Sequence, residues 1–544
     1  MEEQTQKLPS LKSQSAWLMS AKTVGFVLSF LLPLFIYRRL TQSEAGIYKQ
    51  VFLVITNASS ILPLGISMSA FYFLSRETER RPFYIANILL FNFLIGGLAC
   101  LMLFLYPQFL GNLFRDAEMT RLAPHIGLVI WLWIFSAFLE VVAIANQEPR
   151  IATTFIIFSQ LTKMVLMVSA VLIFGTVDAL LNAATFQALV QTIILFIYLN
   201  SRFKGFWHSF DWKVFGAHLK YALPFGFAAI LWFLQSEGHN YFIGYRFSSA
   251  EMAIYAVGCF ELPLLGMLYE SIAAVLLPRM SQLQMQDKKR EMIELAARAS
   301  EKLALVYFPV YAYFLVVAED LITTLFTKNY LESVPIFLIN ITLLLFYVWI
   351  TDPIVRAFEH LGRFILKIRI FIVICLFTTL WLGINYFNLR GMIAIVVATA
   401  IVERIIAAYK AWTTIGATWK DAVLLKNVGK IAFAALIAGI VTFLFRWEFR
   451  QFATSGADWI TENLSLTLKQ NLTDSLAGVI VLASSGILFA IVYVVLANYL
   501  QVISDDEKTF VKNFLSNLTK RLKRNSGNRL ADSIAETSQL TTQD

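Results

Sequence analysis

The chain has 544 residues, 58% of them hydrophobic and only 15% charged, with 47 phenylalanines. A soluble protein carries roughly 25% charged and about 45–50% apolar residues, so composition places this chain in a membrane. The net charge of +9 is read as a topology signal rather than a nucleic-acid footprint, and no nucleic-acid partner is expected.

In chain order, residues 1–16 form a polar segment. The first apolar run begins at Trp17 and continues to about residue 40. It is too long for a signal-peptide core and lacks a cleavage site, so it reads as a first span. Lys22 lies five residues past Trp17, where its ammonium can snorkel to the interface. The second span, 48–74, carries Asn57 and Ser60 ahead of a break at Pro63-Leu-Gly65. Spans at 83–106 and 124–145 follow. The fifth, 151–175, holds Lys163 as its thirteenth residue, with Ser159 and Gln160 on the same helical face. A charge at this depth costs about 2.5–3.5 kcal/mol and faces a cavity or a partner. A cavity-facing ammonium suits a diphosphate as a point charge. The alternative is an ion pair with Glu140 or Glu237. Asn182, Gln187 and Gln191 of the sixth span, 177–199, fit interhelical hydrogen bonding.

Residues 201–219 link this first block to a seventh span, 220–244, which contains the stretch FLQSEGHNYFIGYRF. Gln235 and His239 share one helical face, Glu237 and Asn240 another. Together they cover too much of the helix for lipid contact. Their mixed donors and acceptors match sugar hydroxyls. Glu237 and His239 are also candidates for proton coupling. The eighth span, 252–277, contains Glu261 and Glu270. An amphipathic stretch at 280–302 places Met292, Leu295, Ala296 and Ala299 on one face. Spans at 303–327, 333–352, 364–387 and 391–413 complete a second block. Glu403 and Arg404 are mid-way along the last of these, about 100° apart, so they need not pair; Arg404 suits bidentate phosphate binding. Two further spans, 428–446 and 475–500, precede a tail, 501–544, whose KRLKR run has the charge to attract anionic lipid.

The expected architecture is therefore an all-α polytopic membrane protein of about 14 transmembrane helices. Lys and Arg favour one side of the alternation by roughly three to one. That bias puts both termini in the cytoplasm. The outer loops are too short for a catalytic domain. Cys100, Cys259 and Cys375 are odd in number and form no CxxC pair, which argues against a disulfide framework or zinc site. No P-loop, GxSxG or HExxH motif is present, which disfavours an ATP-driven primary pump, and no cofactor is expected.

An internal repeat organises the spans. SEAGIY at 43–48 returns as AEMAIY at 250–255, an offset of 207. LGNLF at 110–114 returns as ITTLF at 322–326, an offset of 212. Six spans (17–200) then map onto six (220–413) in the same orientation, a parallel repeat about an axis along the membrane normal. The remaining pair occupies 414–500. In such transporters the substrate site lies between the lobes.

With SAKTVGF (20–26), RRLTQSEAGIYKQ (38–50), LLPRMSQLQ (276–284) and AEDLITTLFTKNYLESVPIF (318–337), the chain resembles polysaccharide-transport flippases, the O-antigen type included. Their superfamily is the multidrug/oligosaccharidyl-lipid/polysaccharide exporters. The resemblance runs over about 17–413. It implies a multi-pass protein of the bacterial inner membrane. Its cargo would be an isoprenoid-diphosphate-linked saccharide, carried from the cytoplasmic to the outer leaflet for cell-surface polysaccharide or lipopolysaccharide. Membrane lipids and polymerase or ligase machinery would be its partners. The resemblance also implies a cavity-lining role for Lys22, through Lys22-x-x-Gly25, and a tail-binding groove at the fourteen-span members' extra pair. One departure stands out. Many members have an acidic–basic pair late in the seventh span, where this chain has His239-Asn240 with Glu237 slightly earlier. The competing readings are a multidrug/cation antiporter of the same superfamily and a membrane saccharide polymerase or ligase.

Overall fold

The computed structural model describes residues 11–76, 79–260, 263–463 and 470–503. All regular structure among them is helical. In the first half the helices are α1 (Leu11–Arg39), α2 (Gln42–Ile61), α3 (Ala70–Arg76), α4 (Arg81–Leu105), α5 (Gln108–Phe114), α6 (Ala117–Ser136), α7 (Phe138–Ala145), α8 (Pro149–Ile173) and α9 (Val177–Arg202). The second half comprises α10 (Trp212–Arg246), α11 (Ser249–Gly258), α12 (Pro263–Met285), α13 (Lys289–Leu325), α14 (Ser333–Ile341), α15 (Leu344–Tyr347), α16 (Asp352–Ala357), α17 (Glu359–Gly383) and α18 (Leu389–Thr414). A final pair follows, α19 (Lys426–Asn463) and α20 (Gln470–Tyr499).

By length and composition, 11 helices among the described residues are able to cross a membrane. The protein is an all-α, multi-pass membrane protein. The other expected spans fall on α1, on α2 with α3, and on α14 with α15. The second is broken where the Pro63-Leu-Gly65 signal places it: Leu64 and Gly65 both take positive φ, 48° and 74°, which ends one helix before the next begins. The amphipathic stretch at 280–302 is not one helix. α12 runs to Met285, and α13 continues unbroken from Lys289 into the ninth span. Its predicted apolar face is nonetheless inward: Met292, Ala296 and Ala299 are buried. α10 and α19 extend well past their expected limits. Glu261 and the KRLKR tail lie outside the described residues.

The repeat is visible in local structure. Thr41 and Glu44 close a capping box at the start of α2; Ser248 and Glu251 close another at the start of α11, again 207 residues on. In each, the hydroxyl accepts from the N3 amide while the glutamate accepts from the cap amide. α2 and α11 also pack on each other, as two helices beside a common two-fold axis must. Their approach is close enough that a Cβ on Gly46 would stand 1.6 Å from the Ser249 carbonyl oxygen.

Packing divides along the membrane normal. At the end bearing the two capping boxes, both halves share one core. It includes Ile36, Tyr37, Val51 and Ile55 from the first half, and Ile243, Tyr255, Phe326 and Phe337 from the second. Towards the other end there are two cores. One, around Ile66, Ile88, Phe138 and Leu199, belongs to the first half and takes in Val214 and Ala222 of α10. The other, around Met280, Leu303, Ile354 and Ala411, belongs to the second half and takes in Ile431 and Ala497 of the final pair. The halves are joined at one end and separately packed at the other.

Candidate functional site

The candidate residues fall where the shared core gives way to the separate ones. On α8, Lys163 lies between Phe155 of the first-half core and Met167 of the shared core. On α10, the stretch from Gln235 to Asn240 lies between Ala222 and Ile243. Arg404 of α18 lies between Val397 of the shared core and Ala411 of the second-half core. Asn57 of α2 follows Ile55 and precedes Ile66. Four helices thus present their intramembrane polar residues at one level.

On the first-half wall, Lys163 has its ammonium 4.9 Å from the ring centroid of Trp133 on α6. Among the described residues no carboxylate lies within 4 Å of it. Both carboxylates proposed as its partners are engaged elsewhere. Glu140 meets Lys22 at 3.6 Å, and Glu237 accepts a 2.8 Å bond from Asn240 one turn along α10. Gln160 binds α8 to α1, accepting from Ser29 at 3.2 Å and packing against Gly25. Gln191 donates to the Ser159 hydroxyl at 2.6 Å, and Gln187 to the Ser159 carbonyl at 3.2 Å, so these two sixth-span amides are interhelical ties, whereas Asn182 is exposed.

On the second-half wall, Arg404 stacks its guanidinium over Tyr347 at 4.2 Å and Tyr269 at 5.4 Å. Its neighbour Glu403 points elsewhere: it is buried, accepts from Arg369 of α17 at 3.3 Å, and accepts from Gln235 of α10. Gln235 therefore ties α10 to α17 and α18. His239 is buried against the edge of Tyr255, with ring centroids 5.6 Å apart. Asn57 donates to the Tyr241 hydroxyl at 3.1 Å, joining the two halves. Among the described residues, no hydrogen bond or ion pair joins the Lys163 group to the Arg404 group.

Four participants were not legible as such. Trp133, Tyr269 and Tyr347 sit in apolar runs as ordinary aromatics. Arg369 stands near the start of a span, where it reads as a topology charge. The available signal for the Arg369–Glu403 pair was an arginine about one turn inside one apolar run and an acid mid-way along the next.

Residues 5–335 match the family described as polysaccharide biosynthesis protein. The chain belongs to this family. The chain is also similar in fold to solved transporters. The structure of the lipid II flippase MurJ in an inward closed conformation superposes with a TM-score of 0.59 at 14% identity, covering 86% of this chain and 97% of that one. An inward-facing multidrug resistance MATE family transporter of the MOP superfamily gives 0.54 at 15% identity, covering 76% and 99%. An outward-facing transporter of the same description gives 0.50 at 15%, covering 75% and 97%. At such identities the likeness establishes a shared fold. No curated protein matches the chain.

Proposed function

We propose that this protein is a flippase that carries an isoprenoid-diphosphate-linked saccharide from the cytoplasmic to the outer leaflet by alternating access. It would serve cell-surface polysaccharide synthesis, of the O-antigen kind, in a bacterial inner membrane. The observation that carries this reading is the state of Lys163 and Arg404. Each is a cation within an apolar span, each rests on aromatic faces, and neither has a carboxylate within 4 Å among the described residues. A cation–π contact is worth about 0.5–2 kcal/mol. A phosphate offers charge-assisted hydrogen bonds that are stronger than neutral ones. The arrangement thus holds the cations in place until a diphosphate supplies the better partner. The polar face of α10 supplies contacts for sugar hydroxyls.

Glu237 favours a second reading, a multidrug/cation antiporter. It accepts from Asn240 and has no basic partner within 4 Å among the described residues. A cationic substrate, however, would approach Lys163 and Arg404 against repulsion. Flipping of a fluorescent undecaprenyl-diphosphate oligosaccharide in proteoliposomes separates the two. The flippase reading expects transport; ion-driven efflux of organic cations in its place supports the antiporter.

A further inference from the structure

The shared-core end of the molecule is fastened by side chains that the repeat makes equivalent. Arg38, at the end of α1, donates to the carbonyls of Leu325 (2.9 Å) and Thr324, the last acceptors of α13, and to the Ser475 hydroxyl at 3.2 Å. A cation at a helix C-terminus is favoured by the macrodipole. The residue 207 positions after Arg38 is Tyr245, at the end of α10. It accepts from Arg115 at 2.6 Å, with that guanidinium 4.1 Å over its ring. Arg115 follows LGNLF as Thr327 follows ITTLF, so it occupies the place in the first half that the end of α13 occupies in the second.

The equivalence extends to two more contacts. Gln42 donates to the Asn329 carbonyl at 2.6 Å. Its counterpart 207 residues on is Ser249, which donates to Asp116 at 2.5 Å. Beneath these, Phe326 packs on Tyr37 with centroids 5.9 Å apart. The counterparts are Phe114 and Gly244, where a Cβ would stand 2.4 Å from the Phe114 ring. On one side an aromatic fills the slot; on the other, its absence admits the opposing ring.

Each set reaches from the first-to-second-span turn of one half to the end of the third-span hairpin of the other. Apart from the shared Phe114 and Phe326, the chemistry of the two sets differs while their positions agree. We propose that this face is a gate of the transport cycle, held shut by two repeat-related clasps: Arg38 and Gln42 on one side, Arg115 and Asp116 on the other. The two release together, because both join the first half to the second at the same end of the molecule. The proposal rests on the transporter reading, but its test uses no substrate.

The test reads thiol access to the seam. Cys100, Cys259 and Cys375 are replaced by alanine, and Val54→Cys, in the shared core beneath the clasps, is the reporter. A membrane-impermeant methanethiosulfonate is applied to each face of oriented vesicles. Arg115→Ala or Arg38→Ala should raise labelling from the clasp face about fivefold or more, a typical coupling for a gating contact. An oxidised Asp116→Cys/Ser249→Cys pair should abolish that labelling, even with Arg38→Ala present, until it is reduced. Labelling that persists through the disulfide, or that no clasp variant alters, overturns the proposal. If the arginine variants do not fold, the disulfide arm decides alone. If labelling behaves as described but no lipid-linked saccharide is moved, the gate stands and the substrate assignment falls.

Discussion

Gly46→Ala probes the seam at its tightest point. A Cβ at this position meets backbone only: the Ser249 carbonyl oxygen at 1.6 Å, its carbon at 2.4 Å and the Cα at 3.0 Å. No side chain can swing aside, so α2 and α11 must part by about 2 Å, and overpacking of this kind costs about 1–3 kcal/mol. If that cost falls only on the closed face, the ratio of closed to open forms drops about 5- to 150-fold. Spin labels at Asn112→Cys and Leu331→Cys, both exposed and on opposite halves, report the separation by pulsed electron resonance. The expected result is a second, longer distance population in Gly46→Ala. A distance distribution identical to that of Gly46, in a protein of lowered thermal stability, would refute the reasoning, because the clash would then be relieved within one half.

Other perturbations test other joints. Arg446 of α19 pairs with the buried Asp320 and with Glu319 (3.5 Å) of α13. Arg446→Met should therefore lower stability by about 3–5 kcal/mol, the cost of stranding a buried charge, softened by Arg450 at 3.9 Å from Asp320. Adding Asp320→Leu should restore most of the loss in thermal unfolding, and a double variant as unstable as the single would count against the pairing. Glu403→Gln removes the negative charge that Arg369 pairs with and one of the two carboxylate oxygens that Arg369 and Gln235 use. It should reduce transport at least tenfold, since hydrogen bonds to charged groups contribute about 1.5–3 kcal/mol; unaltered transport would make the network dispensable. A reporter fused after Gln543 should read cytoplasm, as the distribution of Lys and Arg expects; an external readout would break the fourteen-span topology.

How much of this was legible in the sequence depends on whether a feature is local. The Pro63-Leu-Gly65 break is written in adjacent residues and appears where the pattern places it; the capping boxes at Thr41–Glu44 and Ser248–Glu251 are equally local but were passed over within the repeat. The apolar face at Met292, Ala296 and Ala299 is equally local. The extent of α13 was not, since a polar stretch and an apolar one fused into one helix without a punctuating proline or glycine between them. Partner choice is non-local. Nothing near Lys163 in sequence says that Glu140 will be taken by Lys22, because that depends on how α1, α7 and α8 meet. The offset of 207 did place the clasp residues in register. Their chemistry differs between halves, arginine against tyrosine and glutamine against serine, so similarity alone passed over them.

The central claim is that an intramembrane cation binds the diphosphate of a lipid-linked saccharide. The most direct measurement is flipping of a fluorescent undecaprenyl-diphosphate oligosaccharide in proteoliposomes, with wild type beside Lys163→Ala at matched protein incorporation. The account predicts transport by the wild type, reduced at least tenfold in the variant, since loss of a charged hydrogen-bond donor costs about 1.5–3 kcal/mol. Equal transport by both would remove Lys163 from the substrate site and contradict the claim.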